Sequence, residues 1–406
     1  SDLSRKSGAD GGIVLSASHN PGGPDEDFGI KFNNASGAPA PESVTQQIFD
    51  HTRTLTEYRR FPLPDLNLSA GQEYRVGNSL IRIVSSVDDY AALMTTLFDF
   101  DRLRDAVQSK RVSLQFDAMH AVTGPYGQRI FHDMLGLDAA LLHNTTPSED
   151  FGGGHPDPNR VYAHELWDSM MSASAPDLGA ASDGDGDRNM IMGRQIFVSP
   201  SDSLALIAEH GACIPQFRDG LIGVARSMPT STAIDRVAAD LGIPCFETPT
   251  GWKFFGNLLD AGKVRLCGEE SFGTSGDHVR EKDGVWAVLC WLTILVETGL
   301  SVAELLQRHW QRFGRSYYCR HDYEGLAAPA AEAVMSGLLA RADQICQSSF
   351  ENQSIAAVDS FTYRDPVDGS VSANQGVRIL FSNGNRVIYR LSGTGTDSAT
   401  LRVYLE

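Results

Sequence analysis

The sequence predicts an α/β protein built as successive doubly wound domains, followed by a separate C-terminal α+β domain. Three observations lead there. The chain has 406 residues, enough for roughly two to four domains of ordinary size. With 42% hydrophobic and 21% charged residues, it has the composition of a folded globular protein rather than a disordered or fibrous one. Short apolar runs alternate with stretches of helical periodicity through the middle of the chain, and this alternation stops near Tyr317.

The elements follow in order. Residues 12–15 (GIVL) read as an apolar strand. Residues 111–116 (RVSLQF) read as a strand and 125–135 as a helix; 139–143 and 163–173 repeat the pair, and 177–181 is a further strand. The cycle returns with strand 220–225, helix 231–241, strand 244–247, helix 252–259 and strand 264–267. Two such units in succession suggest related doubly wound domains. Residues 285–297 and 302–313 are helical, and the most apolar run, 285–296, is shorter than the roughly 18–20 residues of a membrane span, so it reads as a buried helix. Residues 328–346 form one long helical pattern, and strands 377–381 and 386–390 flank an Asn383-Gly384 hairpin turn. The expected division is 1–88, 89–199, 200–315 and 316–406.

Charge narrows the partners. With 34 Lys+Arg against 51 Asp+Glu, the net charge is −17, which argues against nucleic acid or an anionic membrane as the main partner. A small anionic ligand needs only a local cluster of cations. The six cysteines, Cys213, Cys245, Cys267, Cys290, Cys319 and Cys346, are widely spaced with no C-x-x-C pair, so they read as reduced cytoplasmic thiols rather than a disulfide framework or zinc site. The first ten residues are polar and carry no signal-peptide pattern. No initiator Met is present and residues 399–406 read as a strand still in progress, so a fragment at both ends is expected.

Four loops carry chemistry. Ser16-Ala17-Ser18-His19-Asn20-Pro21-Gly22-Gly23 follows the first strand. A hydroxyl beside an imidazole in a proline-glycine turn suits a nucleophile or a carrier of a transferred phosphoryl group; a serine that merely caps the turn is the plainer alternative. Asp183-Gly184-Asp185-Gly186-Asp187-Arg188 places carboxylates at every second position, with glycines that let the backbone curl around an ion. These hard oxygen ligands point to Mg²⁺ or Ca²⁺ rather than zinc. Residue 194 is Arg, where an EF-hand would have its Glu, so the shell is incomplete and a phosphate oxygen would finish it. Gly268-Glu269-Glu270-Ser271-Phe272-Gly273 offers acceptors for sugar hydroxyls, although a helix cap would look the same. Arg390-Leu391-Ser392-Gly393-Thr394-Gly395-Thr396 combines open backbone N–H groups, hydroxyls and a guanidinium, which suits a phosphate. The first three loops each follow an expected strand, where open α/β sheets bind ligands. Together the four point to phosphoryl transfer on a phosphosugar.

These loops resemble the four signature loops of the α-D-phosphohexomutase superfamily, and the strings GGPDEDFGIKFN, ETPTGWKFFGN and REKDGVWAV are similar to its glucose-phosphate branch. The resemblance implies mixed-sheet α/β domains and a C-terminal domain around a central cleft. It also implies a Mg²⁺ requirement and interconversion of glucose 1-phosphate and glucose 6-phosphate, with glucose 1,6-bisphosphate as intermediate and activator. Carried over by position, Ser18 matches the phosphorylated serine, and Asp183, Asp185 and Asp187 match metal ligands completed by the Ser18 phosphoryl group. Lys282 and His19 match the candidate base and acid, and Lys31 and Arg188 match cations near the moving phosphoryl group. Thr250 and Gly251 match a sugar-orienting loop, and Glu269 and Ser271 match the hydroxyl readers. Arg390, Ser392, Gly393, Thr394 and Arg402 match the distal phosphate site. A monomer or weak dimer acting on a small phosphosugar in the cytoplasm is implied.

Departures and alternatives are also visible. The family has a further segment ahead of the serine loop and a longer last domain. Where it reads Gly-Thr-Gly-Ser-Asp-His, this chain has Gly273-Thr274-Ser275-Gly276-Asp277-His278, and the swap is expected to strain a left-handed backbone position. A mutase of another hexose or pentose phosphate is one alternative. A non-catalytic, adhesion-associated paralogue is another, suggested by residues 314–320, but Asn20, Gly184 and Gly393-Thr394 are intact.

Overall fold

The structure, a computed structural model, describes residues 1–392 and 398–406. The expected cradle residues Gly393 and Thr394 lie outside the described residues. The chain forms two compact units: Ser1–Val198 with Glu209–Gly220 and Phe272–Leu305, and Ser199–Ala208 with Leu221–Ser271 and Leu306–Glu406.

In the first unit a five-stranded sheet runs in the order Leu142–His143, Leu114–Asp117, Leu178–Ser182, Asn189–Gly193, Ile196–Val198. The first three strands are parallel and the last two antiparallel, so the sheet is mixed. Strands Leu114–Asp117, Leu178–Ser182 and Asn189–Gly193 are buried at every position. Leu178–Ser182 and Asn189–Gly193 accordingly show no apolar–polar alternation, while the buried Gln115 and Asp117 of the first strand are satisfied by the Ser169 hydroxyl and the Met119 N–H. Helix Gly284–Thr298, buried from Gly284 to Leu295, packs on this sheet. Asp283 caps it by accepting the Trp286 N–H at 3.0 Å, and Gly299 closes it in the left-handed conformation. A separate antiparallel hairpin, Gly12–Ser16 with Gly29–Asn33, carries the serine loop between its strands.

In the second unit the parallel strands Cys245–Thr248, Val224–Ser227 and Leu266–Gly268 lie side by side with Val224–Ser227 in the centre. Trp252, Phe255, Leu258 and Leu259 from the following helical segment pack on Ala225 and Cys267. The C-terminal part is an antiparallel sheet ordered Cys319–Ala327, Ser398–Leu405, Arg386–Ser392, Val377–Phe381, Gln353–Ser360, Ser349–Phe350. Helix Ala328–Ala340 lies against it.

All six cysteines are free. Among the described residues no single helix is long and apolar enough to cross a membrane.

Several sequence expectations shift. Strand 111–116 starts only at Leu114, because the Asp177 carboxylate captures the Ser113 N–H and hydroxyl at 2.9 and 2.7 Å. Helix 125–135 is a short α-turn, Gly124–Gly127, running into a π-helix, Gln128–Met134, whose wider turn buries the adjacent Ile130 and Phe131 together. Expected strand 139–143 opens as a 3₁₀ turn, Ala139–Leu141, capped by Asp138, which leaves only Leu142–His143 in the sheet. The long helix 328–346 breaks at Arg341, which leaves helical geometry at φ −108 and ψ 18. The strain expected at Ser275-Gly276 is absent. Thr274–Gly276 is an extended strand, and neither residue has a positive φ.

Candidate active site

The serine loop leaves strand Gly12–Ser16 through a turn that holds Ser18 at φ 58, a left-handed conformation that costs a non-glycine residue about 1 kcal/mol or more. Ser16 supports this conformation. Its hydroxyl accepts the Ser18 N–H at 2.8 Å and donates to Asp185 Oδ2 at 3.0 Å. The Ser18 hydroxyl lies 3.3 Å from His19 Nδ1. Burial, and then the Arg188 charge, push the His19 imidazole down to about 4, so it is neutral near pH 7.

The aspartate loop follows strand Leu178–Ser182 and presses on the serine loop. A Cβ at Gly184 would stand 2.0 Å from the Ser18 carbonyl oxygen, so only glycine fits there. Each of the three aspartates has one tied oxygen. Asp183, fully buried, accepts the Arg188 N–H on Oδ1 at 3.0 Å. Asp185 Oδ2 takes Lys31 Nζ at 2.6 Å, and Asp187 Oδ2 lies 3.0 Å from Lys282 Nζ. The second oxygens, Asp183 Oδ2, Asp185 Oδ1 and Asp187 Oδ1, are buried without a hydrogen-bond partner among the described residues. One oxygen from each carboxylate lies within 4.8 Å of the others.

Unsatisfied buried carboxylate oxygens are costly. A hard divalent cation matches their number and chemistry, so the residues fit such an ion. Burial, with the charges of Asp187 and Asp185, raises the Asp183 carboxyl well above the usual range, and a cation would offset all three effects. Burial pulls the Lys31 ammonium down, but the charge and hydrogen bond of Asp185 outweigh it and the net shift is upward.

The structure thus gathers Ser18, His19, Lys31, Asp183, Asp185, Asp187, Arg188 and Lys282 in the first unit. Thr250, Gly251, Glu269, Ser271, Arg390, Ser392 and Arg402 belong to the second. There the buried Glu269 accepts the Gly251 N–H at 2.9 Å, which joins the two segments expected to orient and read a sugar. Glu270 accepts from the Ser227 hydroxyl at 3.3 Å, and its own N–H donates to Thr230 Oγ1 at 2.9 Å. Arg390 and Arg402 face each other across strands Arg386–Ser392 and Ser398–Leu405. Among the described residues Arg390 Nη1 and Arg402 Nε are buried without a hydrogen-bond acceptor, although Asp322 Oδ2 lies 3.6 Å from Arg402 Nε.

Sequence reasoning missed Ser16, Asp157 and Asn33. Asp157 accepts Arg188 Nη1 at 3.2 Å, and the neighbouring Pro156 carbonyl accepts the Gly184 N–H at 3.1 Å. Asn33 donates to Glu281, next to Lys282, at 2.8 Å. The signal available for Asp157 was its place between two prolines in His155-Pro156-Asp157-Pro158, a stretch with little conformational freedom.

Family models for phosphoglucomutase/phosphomannomutase α/β/α domains I, II and III match residues 2–59, 88–195 and 200–313. A model for the phosphoglucomutase-1 C-terminal domain matches 315–406. The chain belongs to the phosphoglucomutase/phosphomannomutase family. A phosphoglucomutase of Rhizobium radiobacter is 52% identical over all of this chain and 75% of its own length. The chloroplastic phosphoglucomutase 1 of Marchantia polymorpha is 51% identical over 98% of this chain, which spans 63% of that protein. The open-form crystal structure of parafusin, a phosphoglucomutase from Paramecium, matches with a TM-score of 0.90 and 49% identity, covering 99% of this chain and 74% of that one. The expected fold class, successive α/β domains with a distinct C-terminal domain, is borne out by these family matches.

Proposed function

We propose that the protein interconverts glucose 1-phosphate and glucose 6-phosphate through a phosphorylated Ser18 and glucose 1,6-bisphosphate. The observation that carries this reading is the trio of unsatisfied buried oxygens on Asp183, Asp185 and Asp187, on a loop keyed against that of Ser18. Phosphoryl transfer asks the protein mainly for positioning and charge neutralisation. Ser18 would give its phosphoryl group to the free sugar hydroxyl, and after the bisphosphate turns end for end the other phosphate would return to Ser18. Mg²⁺ held by Asp183, Asp185, Asp187 and an oxygen of phosphorylated Ser18 would neutralise charge on the moving group. Lys31, Arg188 and Lys282 add three cations around it.

Lys282 and His19 are the groups we assign to the hydroxyl proton. Glu269 and Ser271 read the sugar, Thr250 and Gly251 orient it, and Arg390, Ser392, Gly393, Thr394 and Arg402 hold the phosphate that is not reacting. The same proposal includes four domains, 1–88, 89–199, 200–315 and 316–406, a monomer or weak dimer, and a cytoplasmic location.

The test is a coupled assay of glucose 1-phosphate conversion with Mg²⁺ and a trace of glucose 1,6-bisphosphate. Conversion is expected, and Ser18→Ala or a chelator should abolish it. Conversion that survives Ser18→Ala would overturn the phosphoserine route. A folded protein with no conversion at all would instead favour the non-catalytic paralogue.

A further inference from the structure

Arg188 Nε and Asp183 Oδ2 are both buried, both without a hydrogen-bond partner among the described residues, and only 3.8 Å apart. Opposite charges in that position would be expected to close into a hydrogen-bonded pair. What opposes closure is on the other side of the guanidinium. Asp157 Oδ1 takes Arg188 Nη1 at 3.2 Å, while Asn159 Nδ2 fixes Asp157 Oδ2 at 2.7 Å. Asp157 is itself braced, because its neighbour Pro156 accepts the Gly184 N–H from the aspartate loop. The tether is therefore rooted in the loop that it regulates.

We propose that Asp157 is a positioning residue that holds the Arg188 guanidinium off Asp183, so that Asp183 Oδ2 stays free to bind the cation. The inference rests on reading Asp183, Asp185 and Asp187 as cation ligands. Without the tether, Arg188 would swing onto Asp183 and compete for the same oxygen as an internal cation. Arg188 would also leave its place near the phosphoryl group, so binding and turnover would fall together.

The test is a calorimetric Mn²⁺ titration of four proteins: wild type, Asp157→Asn, Arg188→Ala and the double variant. Asp157→Asn should bind Mn²⁺ roughly five- to tenfold more weakly than wild type. In the Arg188→Ala background the same substitution should have no further effect, because the competing group is gone. A loss of equal size in both backgrounds would show that Asp157 acts by its own charge or by bracing the loop, and would overturn the inference. Unchanged binding by Asp157→Asn would also overturn it. Asn159→Ala, which keeps the Asp157 charge but frees its carboxylate, should weaken binding in the same direction and serves if Asp157→Asn does not fold. If the wild type binds no Mn²⁺, the cation reading itself fails and this inference goes with it.

Discussion

The Ser16 hydroxyl joins Asp185 of the aspartate loop, at 3.0 Å, to the backbone of the serine loop, whose Ser18 N–H it accepts at 2.8 Å. It is the small group through which the left-handed turn at Ser18 and the Asp185 carboxylate are held together. Ser16→Ala should cost roughly 1–2 kcal/mol of stability and lower turnover about tenfold, by letting Ser18 relax from its conformation. Ser16→Thr, which keeps the hydroxyl, should recover most of both. Thermal unfolding and the coupled assay measure the two effects, and equal activity in all three proteins would remove Ser16 from the site.

Gly276 has no space for a side chain. A Cβ there would lie 2.7 Å from Gln216 Nε2 and 3.0 Å from the Trp286 ring, while the preceding Ser275 is fully buried. Gln216 cannot easily yield, because it donates to Asp277 and accepts from the Trp286 indole, both at 2.7 Å. Gly276→Ala should therefore destabilise by about 1–3 kcal/mol, read as a lower midpoint in urea. The order Ser275-Gly276 is the one that fits this backbone.

Burial raises the Glu281 carboxyl from 4.5 to about 7, partly opposed by the Asn33 hydrogen bond. An acid whose folded pKa lies above its unfolded one stabilises the fold below the unfolded value and loses that contribution as pH rises through the folded one. Wild type should thus lose roughly 3 kcal/mol relative to Glu281→Gln between about pH 4.5 and 7. Chemical unfolding in the presence of a chelator keeps cation binding out of the comparison. Parallel pH curves for the two proteins would contradict the assignment.

Arg226, with its side chain 5% exposed, binds both oxygens of Asp235 at 2.6 and 2.7 Å and Glu247 at 2.9 Å. Removing it strips Asp235 of a two-point partner, while Glu247 keeps Arg378 at 3.0 Å. Arg226→Met should cost about 3 kcal/mol. The double variant with Asp235→Asn, which leaves the Glu247–Arg378 pair intact, should recover part of that loss. Failure of the double variant to recover any of it would place the effect in packing rather than charge.

Much of this was legible in the sequence, for identifiable reasons. A sheet buried on both faces asks for the small apolar run of Leu178–Ser182, and an antiparallel sheet with alternating burial asks for the pattern of Val377–Phe381, so both strands fall where their residue types put them. The Asp183–Asp187 spacing exposes its chemistry directly, because three carboxylates on alternate residues have few other uses. What escaped depends on partners distant in the chain. Strand Leu114–Asp117 loses its first residues to Asp177, 64 positions away from Ser113. The contact of Asp157 exists only where Arg188 folds back to it. The expected strain at Ser275 failed because a glycine in a motif was read as a need for positive φ, whereas the backbone there is extended and the need is for space.

The closeness of Gly184 to the Ser18 carbonyl leaves the two loops no room to slide past each other. They behave as a single jaw. Under the proposed reaction, phosphoryl donor and cation ligands would then keep the same alignment through both half-reactions, and the bisphosphate alone would have to reverse. Reorientation becomes a problem of loosening the grip on the sugar, not of rebuilding the place where the bond is made.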